Sequence, residues 1–149
     1  MKPRKQQPRK TKVLFVCIGN SCRSQMAEAW ARHLASDVIE SSSAGTAALG
    51  EVSRVTAQAL AERGVAMDGQ FSKPLRERDC AEAERIINIT GAPGSTLFAA
   101  HAGKVEDWDV PDPYFGGLEM NRLICEDIER RVTDLAERLR NKMAKSKAQ

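Results

Sequence analysis

Val13-Leu14-Phe15-Val16-Cys17-Ile18-Gly19-Asn20-Ser21-Cys22-Arg23-Ser24 is the stretch that decides how this chain folds. Its first four residues are apolar, β-branched or aromatic, and predict a strand buried on both faces, as in parallel sheets. Gly19 and Asn20 break that strand. Ser24 to Ala35 follows with strong helix formers, and Met26, Ala27, Trp30, Ala31 and Leu34 recur at helical spacing. A buried strand that passes through a short loop directly into a helix is the first half of a βαβ unit.

Working outward, the alternation repeats. Val38-Ile39 with Ser41-Ser42-Ser43 predicts a second strand, ending at Gly45. Ser53 to Arg63 predicts a helix with Val55, Ala59 and Leu60 inward, stopped by Gly64. Leu75 to Ala83, after Pro74, predicts another. Arg85 to Thr90, with Ile86, Ile87 and Ile89, predicts a third buried strand, and Gly91-Ala92-Pro93-Gly94 a turn. Val105 to Val110 is a short fourth strand candidate. Pro111-Asp112-Pro113 and Gly116-Gly117 mark a loop. Leu118 to about Met143 reads as one amphipathic helix, with an apolar line through Met120, Leu123, Ile124, Ile128, Val132, Leu135 and Leu139. The expected fold is α/β, a parallel sheet with helices on both faces. Ligands bind such sheets at the carboxyl ends of the strands, which directs attention to the first strand-to-helix loop.

The chain has 149 residues, enough for one compact domain and too few for two. Its net charge of +3 is misleading, because the cations gather at the ends. Lys2, Arg4, Lys5, Arg9, Lys10 and Lys12 stand in a segment without an acid, and Lys142, Lys145 and Lys147 close the chain. Residues 13–140 are therefore net acidic, which argues against a nucleic-acid-binding face. Residues 1–11 read as a disordered basic arm, either a solvated tail or a weak anionic-surface contact; residues 12–143 as one domain; residues 144–149 as a basic tail. No apolar run approaches the ~18 residues of a membrane helix, and no secretory signal pattern is expected. The cysteines at 17, 22, 80 and 125 form no Cys-x-x-Cys pair, which points to the cytoplasm and free thiols. Only His33 and His101 are available as imidazole ligands, in unrelated segments, so neither a metal nor a cofactor is expected.

The loop from Cys17 to Ser24 has the parts of an oxyanion pocket. The successive backbone N–H groups of Ile18, Gly19, Asn20, Ser21, Cys22 and Arg23 can form an anion nest that ends at a helix N-terminus. Gly19 and Asn20 tolerate the left-handed backbone a nest requires. Arg23 can fork two donors onto two oxygens. Cys17, at the floor beside a helix end and an arginine, lies where the thiolate is favoured and can attack a tetrahedral centre in line. Expelling an alkoxide or phenoxide then needs a proton donor from another loop. Asp112, between Pro111 and Pro113, is the candidate, because a partly apolar rim near Tyr114 and Phe115 favours the protonated carboxyl. Tyr114 suits a pocket wall; Trp108 is a wall or a core residue. Cys22 is either a redox partner for Cys17, through a reversible disulfide, or a passive loop residue.

With Met26-Ala27-Glu28, Ser43-Ala44-Gly45-Thr46, Gly64-Val65 and Asp112-Pro113-Tyr114, this loop resembles the signature of low-molecular-weight protein tyrosine phosphatases and the related thioredoxin-coupled arsenate reductases. The resemblance covers residues 12–140. It implies a four-stranded parallel sheet of flavodoxin-like order 2-1-3-4, Cys17 as nucleophile, Arg23 as oxyanion clamp and Asp112 as acid. It also implies that Asn20, Ser24 and Ser43 form a hydrogen-bond network around the loop. The expected activity is phosphomonoester hydrolysis through a cysteinyl phosphate, on a phosphorylated protein or a small aryl phosphate, with phosphate, arsenate and vanadate as oxyanion ligands. Against a thioredoxin-coupled reductase, Thr90 to Leu97 lacks the resolving cysteine pair. Ser24-Gln25-Met26-Ala27-Glu28 and Ser72-Lys73-Pro74-Leu75 look more like the reductases, and Gly69-Gln70 stands where many phosphatases carry a histidine. An arsenate reductase drawing on an external thiol reductant is therefore the alternative, and a phosphate-binding module without turnover a third reading.

Overall fold

A computed structural model describes residues 9–147. Strand β1 spans Thr11–Cys17, α1 Arg23–Leu34, β2 Ile39–Gly45, α2 Arg54–Glu62, α3 Glu77–Glu82 and β3 Arg85–Asn88. Then come α4 at Gly94–Leu97, a 3-10 helix at Ala99–Lys104, β4 at Val105–Asp107 and α5 at Gly117–Lys147. The four strands are parallel in the order β2-β1-β3-β4, the expected 2-1-3-4 arrangement. In the register, Cys17 sits opposite Gly45 and Val16 opposite Asn88, so β1, β2 and β3 end together beneath the Cys17–Arg23 loop.

Alternation along β1 supplies two cores. Val13 and Phe15 face α1, α2 and α5, and pack with Met26, Trp30, Leu60, Ile128 and Leu135. Leu14 and Val16 face the other way, against Ile86, Cys80 and Phe98. All four β1 residues are 2% exposed or less, as the unbroken apolar run requires. At ~1.5–3 kcal/mol for each large side chain removed from water, this strand anchors the domain. Ser53 caps α2 by accepting from the Thr56 amide, and Gly64 ends that helical segment with φ +72°.

Several boundaries differ from the sequence reading. The helix expected over Leu75–Ala83 starts only at Glu77, where Asp79 accepts from the Arg76 amide. Gly94, read as the end of a turn, opens α4, and the stretch on to Lys104, for which the sequence predicts no element, is largely helical. The fourth strand stops at Asp107. Helix α5 continues through Lys145 to Lys147, because no Gly or Pro interrupts good helix formers there, so the expected tail is mostly helix. Leu123 is exposed and off the buried stripe, which runs through Asn121, Ile124, Cys125 and Ile128. Most of the basic arm, residues 1–8, lies outside the described residues; Thr11 already pairs in β1. Arg9 and Lys10 share a groove with Lys142 and Lys147, at the pole opposite the carboxyl ends of the strands. Among the described residues no helix is long and apolar enough to cross a membrane.

Candidate active site

The loop between β1 and α1 is held from outside by its carbonyls. Cys17 O accepts from Thr46 N (3.1 Å), Ile18 O from Ala47 N (2.8 Å) and Gly19 O from Leu49 N (3.0 Å). Asn20 O accepts from Gln25 Nε2 (3.1 Å) and Ser21 O from Ser53 N (3.0 Å). A loop whose five successive carbonyls point outward turns its amides inward, the condition for an anion nest. Asn20 carries the left-handed turn, with φ +48°; Gly19, expected to share that role, does not adopt positive φ. Cys22 caps α1 without a side-chain bond, leaving the helix N-terminus open to the same space.

A cavity of about 260 Å³ opens there. Cys17, Ile18, Gly19, Ser21, Cys22 and Arg23 line its floor, and Ala47, Leu49, Asp112 and Tyr114 its walls. Arg23 is 5% exposed; its Nη1 donates to Val110 O (3.1 Å) and its Nη2 lies 3.7 Å from Asp112 Oδ2. Asp112 is held in place by Oδ1 accepting from Tyr114 N (3.1 Å). Its side chain is 52% exposed, more solvated than the apolar rim expected for it. Cys17 Sγ lies 2.9 Å from Ser24 Oγ, which accepts from Asn20 Nδ2 (2.7 Å). Burial pushes the Cys22 thiol up, opposed by hydrogen bonding with Thr56 and Ser53.

Two expected residues lie elsewhere. Ser43 does not join Asn20 and Ser24: its hydroxyl donates to Glu28 Oε1 (2.6 Å), and Lys73 Nζ approaches it at 3.5 Å. The buried Glu28 carboxylate, which also receives Arg32 Nη2 at 2.7 Å, draws the hydroxyl away from the loop. Trp108 is a core residue, 4% exposed, tilted against Phe15 at 5.8 Å, with Nε1 donating to Glu106 (2.6 Å). Asn20 belongs to the loop's backbone, but its side chain turns behind the pocket. Sequence reasoning missed Ala47 and Leu49, whose signal was their place just past the end of β2, at the switch point. It also gave Gln25 no place in the site. Gln25 is wholly buried behind the loop and donates to Asn20 O and Asn20 Oδ1.

Fold and site together define an α/β enzyme scaffold that holds a thiol, an arginine and a carboxylate around one cavity. The chain belongs to the low molecular weight phosphotyrosine protein phosphatase family, whose profile matches residues 12–145. It is similar to a glutaredoxin arsenate reductase of Synechocystis sp., 36% identical over 129 residues, covering 83% of this chain and 95% of that protein. It is also similar to the low molecular weight protein-tyrosine-phosphatase YfkJ of Bacillus subtilis, 34% identical over 127 residues, covering 70% and 81%. Among solved structures, the YwlE arginine phosphatase of Geobacillus stearothermophilus superposes with a TM-score of 0.80 at 27% identity, covering 91% of this chain and 96% of that one.

Proposed function

We propose that this enzyme hydrolyses phosphomonoesters through a cysteinyl-phosphate intermediate. The observation that carries the reading is that Cys17 and Asp112 line one cavity, with Arg23 between its floor and the Asp112 loop. The phosphoryl oxygens rest on the loop amides, and Arg23 binds two of them. The Cys17 thiolate attacks phosphorus in line while Asp112 donates a proton to the departing oxygen. Water, deprotonated by Asp112, then attacks the phosphocysteine, and the Ser24 hydroxyl donates to the thiolate as it leaves. Tyr114 and Leu49 favour an aryl or similarly flat leaving group, from a phosphorylated protein or a small aryl phosphate. The four free thiols suit the cytoplasm.

One observation favours arsenate reduction as a second reading: Cys22 adds a second thiol to the cavity that holds Cys17. An external thiol or dithiol would then regenerate Cys17. Parallel assays of aryl phosphate hydrolysis and thiol-dependent arsenate reduction decide between the two. Hydrolysis should dominate, and Cys17→Ser should abolish it while phosphate still binds. Substantial hydrolysis by Cys17→Ser would remove Cys17 as the nucleophile.

A further inference from the structure

Behind the anion loop, five side-chain hydrogen bonds run in one direction. Their polarity follows from groups that can act in only one way. The Lys73 backbone N–H, which can only donate, lies 2.9 Å from the amide oxygen of Asn20. That fixes Asn20 with Oδ1 toward Lys73 and Nδ2 toward Ser24 Oγ, at 2.7 Å. Ser24 therefore accepts from Asn20, and its own hydrogen is free for Cys17 Sγ, at 2.9 Å. Gln25 is fixed in the same manner. Its Nε2 faces two backbone carbonyls, Asn20 O (3.1 Å) and Phe71 O (2.9 Å), so Nε2 is the donor to Asn20 Oδ1 (3.0 Å). Its Oε1 then accepts from Gln70 Nε2, at 2.8 Å. Gln70 Oε1 in turn accepts from the Arg32 guanidinium, at 3.2 Å.

We propose that Gln70 and Gln25 are positioning residues for Cys17, forming with Asn20 and Ser24 a one-way donor relay that begins at the Arg32 cation and ends on the Cys17 sulfur. The inference rests on Cys17 acting as a thiolate, as in the proposed mechanism. Each member donates toward the sulfur, so each bond polarises the next in the same sense. Gln25, Asn20 and Ser24 are wholly buried, where such polarisation is least screened. Reversal of any amide would set two donors or two acceptors face to face, so the relay has one orientation. The charges beside it are Glu28, which pairs with Arg32, and Lys73, whose Nζ lies 3.8 Å from Glu28 Oε1; Arg23 and Asp112 face Cys17 from the cavity side.

The test reads Cys17 without turnover, so its outcome is separate from whether the enzyme is a phosphatase. Alkylation of Cys17 by iodoacetamide, a neutral reagent, is followed by peptide mass at a fixed, mildly acidic pH. Gln25→Met and Gln70→Met keep the side-chain volume but cannot relay the bond, and each should slow alkylation about threefold or more. Because the two glutamines act in series, Gln70→Met should add little once Gln25→Met is present. In aryl phosphate hydrolysis, kcat should fall while inhibition by inorganic phosphate stays near that of the unaltered enzyme. Unchanged alkylation in folded variants, or effects that simply multiply in the double variant, would overturn the relay. If Gln25→Met does not fold, Gln70→Met and Gln70→Glu at the half-buried end decide alone; a carboxylate there cannot donate and should slow alkylation as well.

Discussion

Gly45→Ala should disable the enzyme through a single methyl group that touches no substrate. Gly45 ends β2 directly against the anion loop. A Cβ at that position would meet Ile18 O at 2.5 Å, Asn20 N at 2.9 Å and Asn20 Cβ at 2.9 Å. Restoring ordinary contact needs about 0.5–0.9 Å of movement. The strand cannot supply it, because Gly45 N donates to Lys73 O (3.0 Å), Leu75 N donates to Gly45 O (2.9 Å), and Gly45 is in register with Cys17. The loop must move instead, and with it the amides turned toward the cavity. Overpacking of this kind costs about 1–3 kcal/mol of stability. A displacement approaching 1 Å in a site built for in-line attack costs on the order of 10²-fold in rate. The assay is aryl phosphate turnover well below the melting temperature, with phosphate inhibition and thermal unfolding measured alongside. Gly103→Ala is the control, since its Cβ would meet nothing within 4 Å. Turnover and phosphate affinity equal to those of the unaltered enzyme in folded Gly45→Ala would refute the reasoning.

Asp112→Asn should slow phosphate-ester hydrolysis by ~10²–10⁴-fold, with the largest loss for poor leaving groups that depend on protonation; a loss equal for all leaving groups would remove Asp112 as the acid. Burial holds Cys22 as a neutral thiol, so Cys17 should be the first sulfur that peroxide oxidises and Cys22 the one that captures it. Intact mass should then fall by about 2 Da, reversibly with dithiol, and Cys22→Ser should give irreversible oxygen adducts; such adducts alone in the unaltered enzyme would defeat this. Arg138→Ala should destabilise the fold by about 0.5–1 kcal/mol near neutral pH, discounted for solvent screening of a pair whose arginine is half exposed. Hydrogen bonding to Arg138 holds the Glu106 carboxyl below the usual glutamate range. The pair's contribution is therefore present above the unfolded glutamate value of ~4.3 and lost as pH falls through the lower folded value, so denaturant curves for the two proteins should converge there.

Strands β1 and β3 were legible because each carries an apolar run too short for a helix, and β1 carried both cores in one stretch. The loop was legible because Cys17, Asn20 and Arg23 are close in sequence. What sequence did not disclose depends on contacts between distant segments. Ser43 looked like a loop neighbour, but Glu28, fifteen residues earlier, captures its hydroxyl. Trp108 stands four residues before Asp112, yet its amide donates to Asn88 O of β3 and its ring turns into the core against Phe15. Gln25 follows the loop directly and reads as an ordinary polar helix residue. Only the return of residues 70–73 beneath the loop explains its complete burial.

That same packing bears on the choice between the two chemistries. A reductase that resolves its own arsenical adduct must bring a second thiol to Cys17. The segment after β3, Thr90 to Leu97, contains no cysteine and is closely tied down. Asn88 Nδ2 donates to Ala92 O (2.7 Å) and Asp107 Oδ1 (2.9 Å), while Thr90 Oγ1 donates to Asn88 Oδ1 (2.7 Å). Cys80 is buried in the core on one side of the sheet, and Cys125 accepts from the Trp30 indole on the other. Cys22 is the remaining thiol, lining the same cavity as Cys17, and both residues are buried. Asp112 calls for no second thiol. An ester oxygen leaving phosphorus needs a proton, and a carboxylate anchored by the Tyr114 amide at the mouth of the cavity can supply it. Ester hydrolysis is thus complete with water and the groups that line the cavity, whereas arsenate reduction also needs electrons from outside it.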